Sequence, residues 1–274
     1  MVRPRLEPIV FEGPHGPVNA HLARPINTGS APAVLLLQEG IGVTKHLLSL
    51  AHRFADAGIA AFVPDLYSHD FARKRLTEFE VLRALPYVRA ADRDALIAAL
   101  PREQQESAQR VATWFQGRDT GTYFGDARAA AYYLKRHTAI DPDAIATVGF
   151  SLGGALSAQL ATAGLELAAG VIFYGQGPNP AQLEQLRYPL LGHYAEHDPA
   201  ITPQVAAVQS QLTAAGKEFT AHVYPGTEHG FFNESRPVYS RDAAELAFTR
   251  TISFLDAQFA RVARASSFRT AVQG

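Results

Sequence analysis

The strongest constraint on this chain is a series of short, unbroken apolar runs separated by stretches with helical spacing. "APAVLLLQEG" (31–40), "IAAFVPDLY" (59–67), "IATVGF" (145–150), "AGVIFYG" (169–175) and "YPLLGHYA" (188–195) carry almost no polar residue until their carboxyl ends. A strand with one wetted face alternates apolar and polar side chains, whereas these runs suit strands covered on both faces, as in a parallel sheet. The stretches between them have helical period. In "TKHLLSLAHRFADAG", Leu47, Leu50, Phe54 and Ala57 recur on one face and Gly58 closes the helix. Further helices are expected in "DARAAAYYLKRH", from Leu152 onward, from about Pro203 to Ala215, and in "SRDAAELAFTRTISFLDAQFARVA", with a last strand in "FTAHVYPG". Strand and helix taking turns predict an α/β chain, a doubly wound and mostly parallel sheet with helices on both faces. Two earlier stretches, "EPIVFE" and "PVNAHLARP", lie between Gly and Pro turns and read as strands that precede the alternation.

The 274 residues fit one α/β domain spanning 1–274. Two parts depart from the pattern. From Tyr67 to Gly125 the chain is rich in helix formers, nearly balanced in charge and punctuated by Pro86 and Pro101. Residues 68–125 are therefore expected to form two or three helices inserted over one end of the sheet, where parallel sheets bind ligands. The tail at 265–274 is expected to be loose.

Composition excludes several functions. Net charge is −1 and basic residues are scattered, which speaks against a nucleic-acid surface. No apolar run approaches a membrane span, and prolines 4, 8 and 14 break the N-terminal stretch where a signal core would lie. A cytoplasmic location and a small-molecule partner are the expectations. Cysteine is absent, so any side-chain nucleophile is a hydroxyl, a carboxylate or an amine. The ten histidines show no compact ligand spacing such as H-E-x-x-H, so no metal is expected.

"GFSLG" places Ser151 between Gly149 and Gly153, after an apolar strand and before a helix. That is the setting of a nucleophile on a cramped strand-to-helix turn, where a side chain at either glycine would clash. A serine hydroxyl needs a base, and on such a fold an acid and then a histidine follow in chain order. Asp198 in "EHDPAITP" and His229 in "TEHGFF" stand after the appropriate strands. His193 and His197 compete as base but precede the last strand, and Glu196 and Glu228 compete as acid. Alone, Asp198 reads more readily as a turn residue before a proline and His229 as a structural or exposed histidine; together and in order they are expected to form a Ser-His-Asp triad with Ser151.

Taken together, "LLLQEGIGV", "FVPDLY", "GFSLGGA", "YAEHD" and "TEHGFF" resemble the dienelactone hydrolase (carboxymethylenebutenolidase) family of α/β-hydrolases, from about Ala33 to the final helix. The resemblance implies a carboxylic-ester or lactone hydrolase that needs no cofactor. It implies a cysteine nucleophile in the usual family member, where this chain has Ser151. It gives Glu39 a place beside the nucleophile, and makes the Leu152 and Gly40 amides the oxyanion donors. It also implies two arginines that hold a substrate carboxylate. This chain has Asn233 at one of those places and Ser107 at the other. Arg110 and Arg236 lie near but out of register, so a relocated anion site and a neutral ester remain alternatives. Trp114, Phe115, Tyr123 and Phe124 fit either a substrate pocket or the packing of the inserted segment. Two other readings stay open: a thioesterase or amidase using the same triad, and a non-catalytic member that binds a small molecule.

Overall fold

The computed structural model describes residues 5–26, 29–88 and 90–273, the side chains of 268–273 excepted. Eight strands form one sheet: β1 (Leu6–Gly13), β2 (Gly16–Ala23), β3 (Ala31–Leu37), β4 (Ala60–Pro64), β5 (Ile140–Phe150), β6 (Ala169–Phe173), β7 (Leu190–His197) and β8 (Phe219–Glu228). Their order is β1-β2-β4-β3-β5-β6-β7-β8. β1 and β2 pair antiparallel, as do β2 and β4, and every pairing from β4 across to β8 is parallel.

The apolar runs are covered on both faces, and successive side chains serve opposite cores. Ala33, Leu35 and Leu37 of β3 join one cluster while Val34 and Leu36 join the other. Helices α1 (Lys45–Asp56) and α9 (Arg241–Gln273) cover the second face. Helices α6 (Thr120–Arg136), α7 (Leu152–Ala161) and α8 (Val205–Ala214) cover the first.

Between β4 and α6 run α2 (Phe71–Lys74), α3 (Glu78–Val88), α4 (Arg93–Ala98) and α5 (Arg102–Gly117). This helical segment is more divided than the two or three helices expected. It also ends sooner: α6 starts at Thr120 rather than beyond Gly125 and packs on β5 and β1. Asp119 caps it by accepting hydrogen bonds from the Gly121 and Thr122 amides. Gly121 and Gly125 concealed this first turn in the sequence. At Gly125 a Cβ would stand 3.2 Å from the Pro14 ring, so the glycine lets the β1–β2 turn lie close against α6. The expected loose tail at 265–274 falls partly outside the described residues. The backbone of α9 runs through Gln273, and Ser266 donates to Asp143 at 3.0 Å.

Candidate active site

The site lies at the carboxyl ends of the parallel strands. Ser151, between β5 and α7, has φ 52° and ψ −106°, a conformation that costs free energy for a residue with a side chain. The surroundings hold it there. Its amide donates to the Phe173 carbonyl at 2.9 Å, and the Gly153 amide donates to the Gln38 carbonyl at 3.0 Å. A Cβ on Gly149 would collide with the Gly153 backbone, and one on Gly153 with the Leu37 carbonyl. Both glycines of the motif are thus required by close backbone approach.

Two later loops meet this turn. His229 Nε2 lies 2.9 Å from Ser151 Oγ, and His229 Nδ1 lies 2.5 Å from Asp198 Oδ2. A carboxylate only accepts, so Nδ1 carries the proton and Nε2 is left to accept from the hydroxyl. Asp198 is buried, following β7, and His229 follows β8. The competing residues lie elsewhere. His193 is buried between the Tyr224 and Thr251 hydroxyls, at 2.8 and 3.0 Å, and burial, with His222 and Arg250 nearby, pushes its pKa well down. His197 and Glu228 are exposed, and Glu196 accepts the Gly226 amide at 2.8 Å.

The loop after β3 supplies the opposite wall. Glu39 is buried and accepts from the Tyr174 hydroxyl at 2.8 Å, while Arg236 Nη1 approaches its other oxygen to 3.9 Å. Burial and the Glu39 carboxylate push the Tyr174 phenol well above its usual pKa, so it stays a donor. The loop is fixed from behind. The Tyr67 hydroxyl donates to the Gly40 carbonyl at 2.9 Å. Arg73 donates to the carbonyls of Ile41, at 2.5 Å, and Leu76, at 2.7 Å. Leu152 opens α7, where amides have no acceptor within the helix. Gly40 and Leu152 both line the cavity above Ser151.

That cavity has a volume of about 280 Å³. Besides the groups above it is walled by Leu85 and Phe115 from the helical segment, and by two arginines, Arg236 and Arg118. Arg236 was anticipated from the sequence. Arg118 was not: it lies just beyond α5 with its guanidinium 3.6 Å above the Phe115 ring, and burial lowers its pKa. The remaining anticipated substrate contacts lie outside this cavity. Arg110 pairs with Glu80 of α3, on which α5 packs. Asn233 is buried, its carbonyl oxygen accepting from the Ser235 amide and hydroxyl in a turn. Trp114 and Tyr123 both donate to Asp70, at 2.8 and 2.5 Å, and line a second, larger cavity. Tyr174 had no signal in the sequence, since a positive φ (39°) at a tyrosine follows no residue preference.

Among the described residues no group of three or more His, Asp or Glu could hold a metal ion, and no helix is long and apolar enough to cross a membrane.

A mostly parallel eight-stranded sheet flanked by helices, with a serine on a strained turn after a central strand, defines an α/β-hydrolase fold. The sequence matches the dienelactone hydrolase family over residues 18–259, and the chain belongs to that family. A Saccharolobus solfataricus protein named "Putative carboxymethylenebutenolidase" is 28% identical, the match covering 90% of this chain and 96% of that one. The carboxymethylenebutenolidase of Pseudomonas putida is 26% identical over 82% of this chain and 85% of its own length. The crystal structure of a dienelactone hydrolase-like promiscuous phosphotriesterase from metagenomic libraries superposes with a TM-score of 0.70. It is 17% identical and covers 94% of this chain and 99% of that one, a likeness of fold.

Proposed function

We propose that the chain hydrolyses carboxylic esters or lactones through an acyl-enzyme on Ser151. The observation that carries this is the unbroken hydrogen-bonded series from Ser151 Oγ through His229 to Asp198, 2.9 and 2.5 Å long, opening into a cavity. Ser151 Oγ attacks the substrate carbonyl carbon as its proton passes to His229 Nε2. The carbonyl oxygen, now an anion, takes hydrogen bonds from the Leu152 and Gly40 amides. When the ester bond breaks, His229 gives its proton to the departing alkoxide. A water then loses a proton to His229 and attacks the acyl carbon. Ser151 leaves with that proton and the carboxylic acid is released. Asp198 keeps the imidazole in the required tautomer and offsets its charge while it is protonated.

Glu39 stands beside this series and is held by Tyr174 and Arg236. Its charge sets the state of the nucleophile before substrate arrives, so Glu39→Gln changes the pH profile of kcat/KM; an unchanged profile removes Glu39 from the mechanism. A second reading concerns the substrate. Arg118 and Arg236 on the wall favour a substrate that carries its own carboxylate, since a guanidinium facing a partly desolvated cavity is best matched by an anion. The deciding measurement is kcat/KM on a dienelactone beside a neutral short-chain aryl ester, with Ser151→Ala as blank. Preference for the dienelactone favours the anionic substrate, preference for the aryl ester the neutral one. Activity surviving in Ser151→Ala, or failure of a fluorophosphonate to label Ser151 in folded protein, overturns the acyl-enzyme.

A further inference from the structure

The cavity at Ser151 accommodates little more than a small lactone or a short ester, for ligand pockets commonly measure about 300–1,000 Å³. A second cavity of about 1010 Å³ lies between the helical segment and α6, and its surface is mostly apolar. The two share one residue, Arg118. Near the end of α5, Trp114 faces the large cavity and Phe115 the small one, consecutive residues about 100° apart on the helix surface. Arg118, its guanidinium stacked on the Phe115 ring, is thus the side chain that both cavities touch.

The large cavity offers an occupant more apolar than polar surface, although Asp70, Arg75, Asp94, Glu106, Arg110 and Asp119 line it as well. The polar ends of Trp114 and Tyr123 are both spent on Asp70, and the two rings, buried against Tyr67, form the firm floor of the cavity rather than open surface. Phe71 lines the same cavity while 73% exposed, an aromatic ring with much of its surface uncovered. The cavity is also tied mechanically to the reacting end. Tyr67 packs edge-on against both Trp114 and Tyr123, with centroids 5.6 and 5.1 Å away, and its hydroxyl holds the Gly40 carbonyl.

Resting on the ester-hydrolase reading, we propose that the large cavity is a subsite for the longer apolar arm of the substrate, entered past Phe115 and Arg118, and that the natural substrates are esters or lactones with an alkyl or aryl arm too large for the catalytic cavity.

The experiment compares 4-nitrophenyl octanoate and octyl acetate with 4-nitrophenyl acetate, in the wild type and in Thr113→Trp and Ala98→Trp. Both positions are exposed and line the cavity from different helices, α5 and α4, so an added indole fills space without disturbing a core. Relative to 4-nitrophenyl acetate, kcat/KM for at least one octyl substrate falls about ten-fold in both variants, the loss expected when two or so methylenes lose their cover. Octanoate inhibits the wild type competitively. Parallel losses on long and short substrates, no loss on either octyl substrate, or non-competitive inhibition by octanoate overturns the subsite. The ester-hydrolase reading fails separately, if 4-nitrophenyl acetate is turned over no faster by wild type than by Ser151→Ala, and the subsite then falls with it.

Discussion

The sheet and the helical segment over it position their functional groups in different ways. In the sheet the backbone does it: Ser151 is held at φ 52° because Gly149, Gly153 and the strands around them leave no other path. In the segment at 71–117 side chains do it. Asp70 gathers the Trp114 indole, the Tyr123 hydroxyl and the Arg73 amide, and Arg73 reaches back to the carbonyls of Ile41 and Leu76. A site set by backbone packing tolerates almost no change of shape. A site set by side-chain hydrogen bonds can be loosened one bond at a time, so the two regions should fail differently under mutation.

The largest effect is expected at the backbone-held serine. Ser151→Gly removes the hydroxyl and relieves the positive φ together. Activity on a short ester should fall by about ten-thousand-fold or more, while the melting temperature rises, because glycine adopts this conformation without cost. A melting temperature that stays level or falls would show that the turn is not strained. The next effect belongs to the side-chain-held region. Arg73→Met frees the Ile41 carbonyl and with it the loop carrying the Gly40 amide, so kcat should drop about ten- to hundred-fold with KM little changed. Arg73→Lys, which can reach one carbonyl, should restore part of the loss. A purely structural role would lower the melting temperature without separating kcat from KM.

The same contrast decides what could be read from the sequence. The strands were legible because burial on both faces imposes continuous apolar runs such as 31–37, and Ser151, Asp198 and His229 because chain order fixes which strand ends meet. The segment was less legible. Its partners are set by long-range side-chain bonds, Trp114 and Tyr123 to Asp70 across 44 and 53 residues, and no local pattern records them. Arg110 and Asn233 were expected at the cavity by counting along the chain. Counting fails where helix packing turns Arg110 toward Glu80 and a tight turn consumes Asn233. Arg118 was missed for the converse reason: it follows the last turn of α5, where no periodicity predicts the direction of a side chain.

A smaller effect is expected from Asp70→Asn, which keeps the shape and removes the charge. The variant should lose about 1–2 kcal/mol, the worth of weakening hydrogen bonds to a charged acceptor. Fluorescence of Trp114, the chain's only tryptophan, reports the loosening directly. Acid should reproduce it. Burial works to raise the Asp70 pKa, but hydrogen bonds from Tyr123, Trp114 and the Arg73 and Ala72 amides outweigh it, so the net shift is downward. A group whose pKa is depressed by folding contributes stability above its unfolded value near 4, and that contribution is lost as pH falls through the folded value. Tryptophan emission should therefore change below about pH 4 in the wild type and far less in Asp70→Asn.

The smallest effect separates a surface ion pair from the anchors beneath it. Glu80 has its pKa lowered to about 2, mainly by the Thr77 amide and hydroxyl and only then by Arg110. Thr77 and Glu80 cap one another at the start of α3, with the Thr77 amide donating at 2.8 Å and the Glu80 amide donating back at 3.2 Å. This bond survives loss of the arginine. Arg110, 56% exposed at its side chain, should contribute no more than an ordinary surface pair, up to about 1 kcal/mol. Arg110→Ala should leave the kcat/KM ratio between a dienelactone and a neutral ester unchanged, and Arg236→Ala should lower it. If Arg110→Ala lowers that ratio as much, the segment closes further over Ser151 when substrate binds, and the division between backbone-held and side-chain-held regions no longer describes the working enzyme.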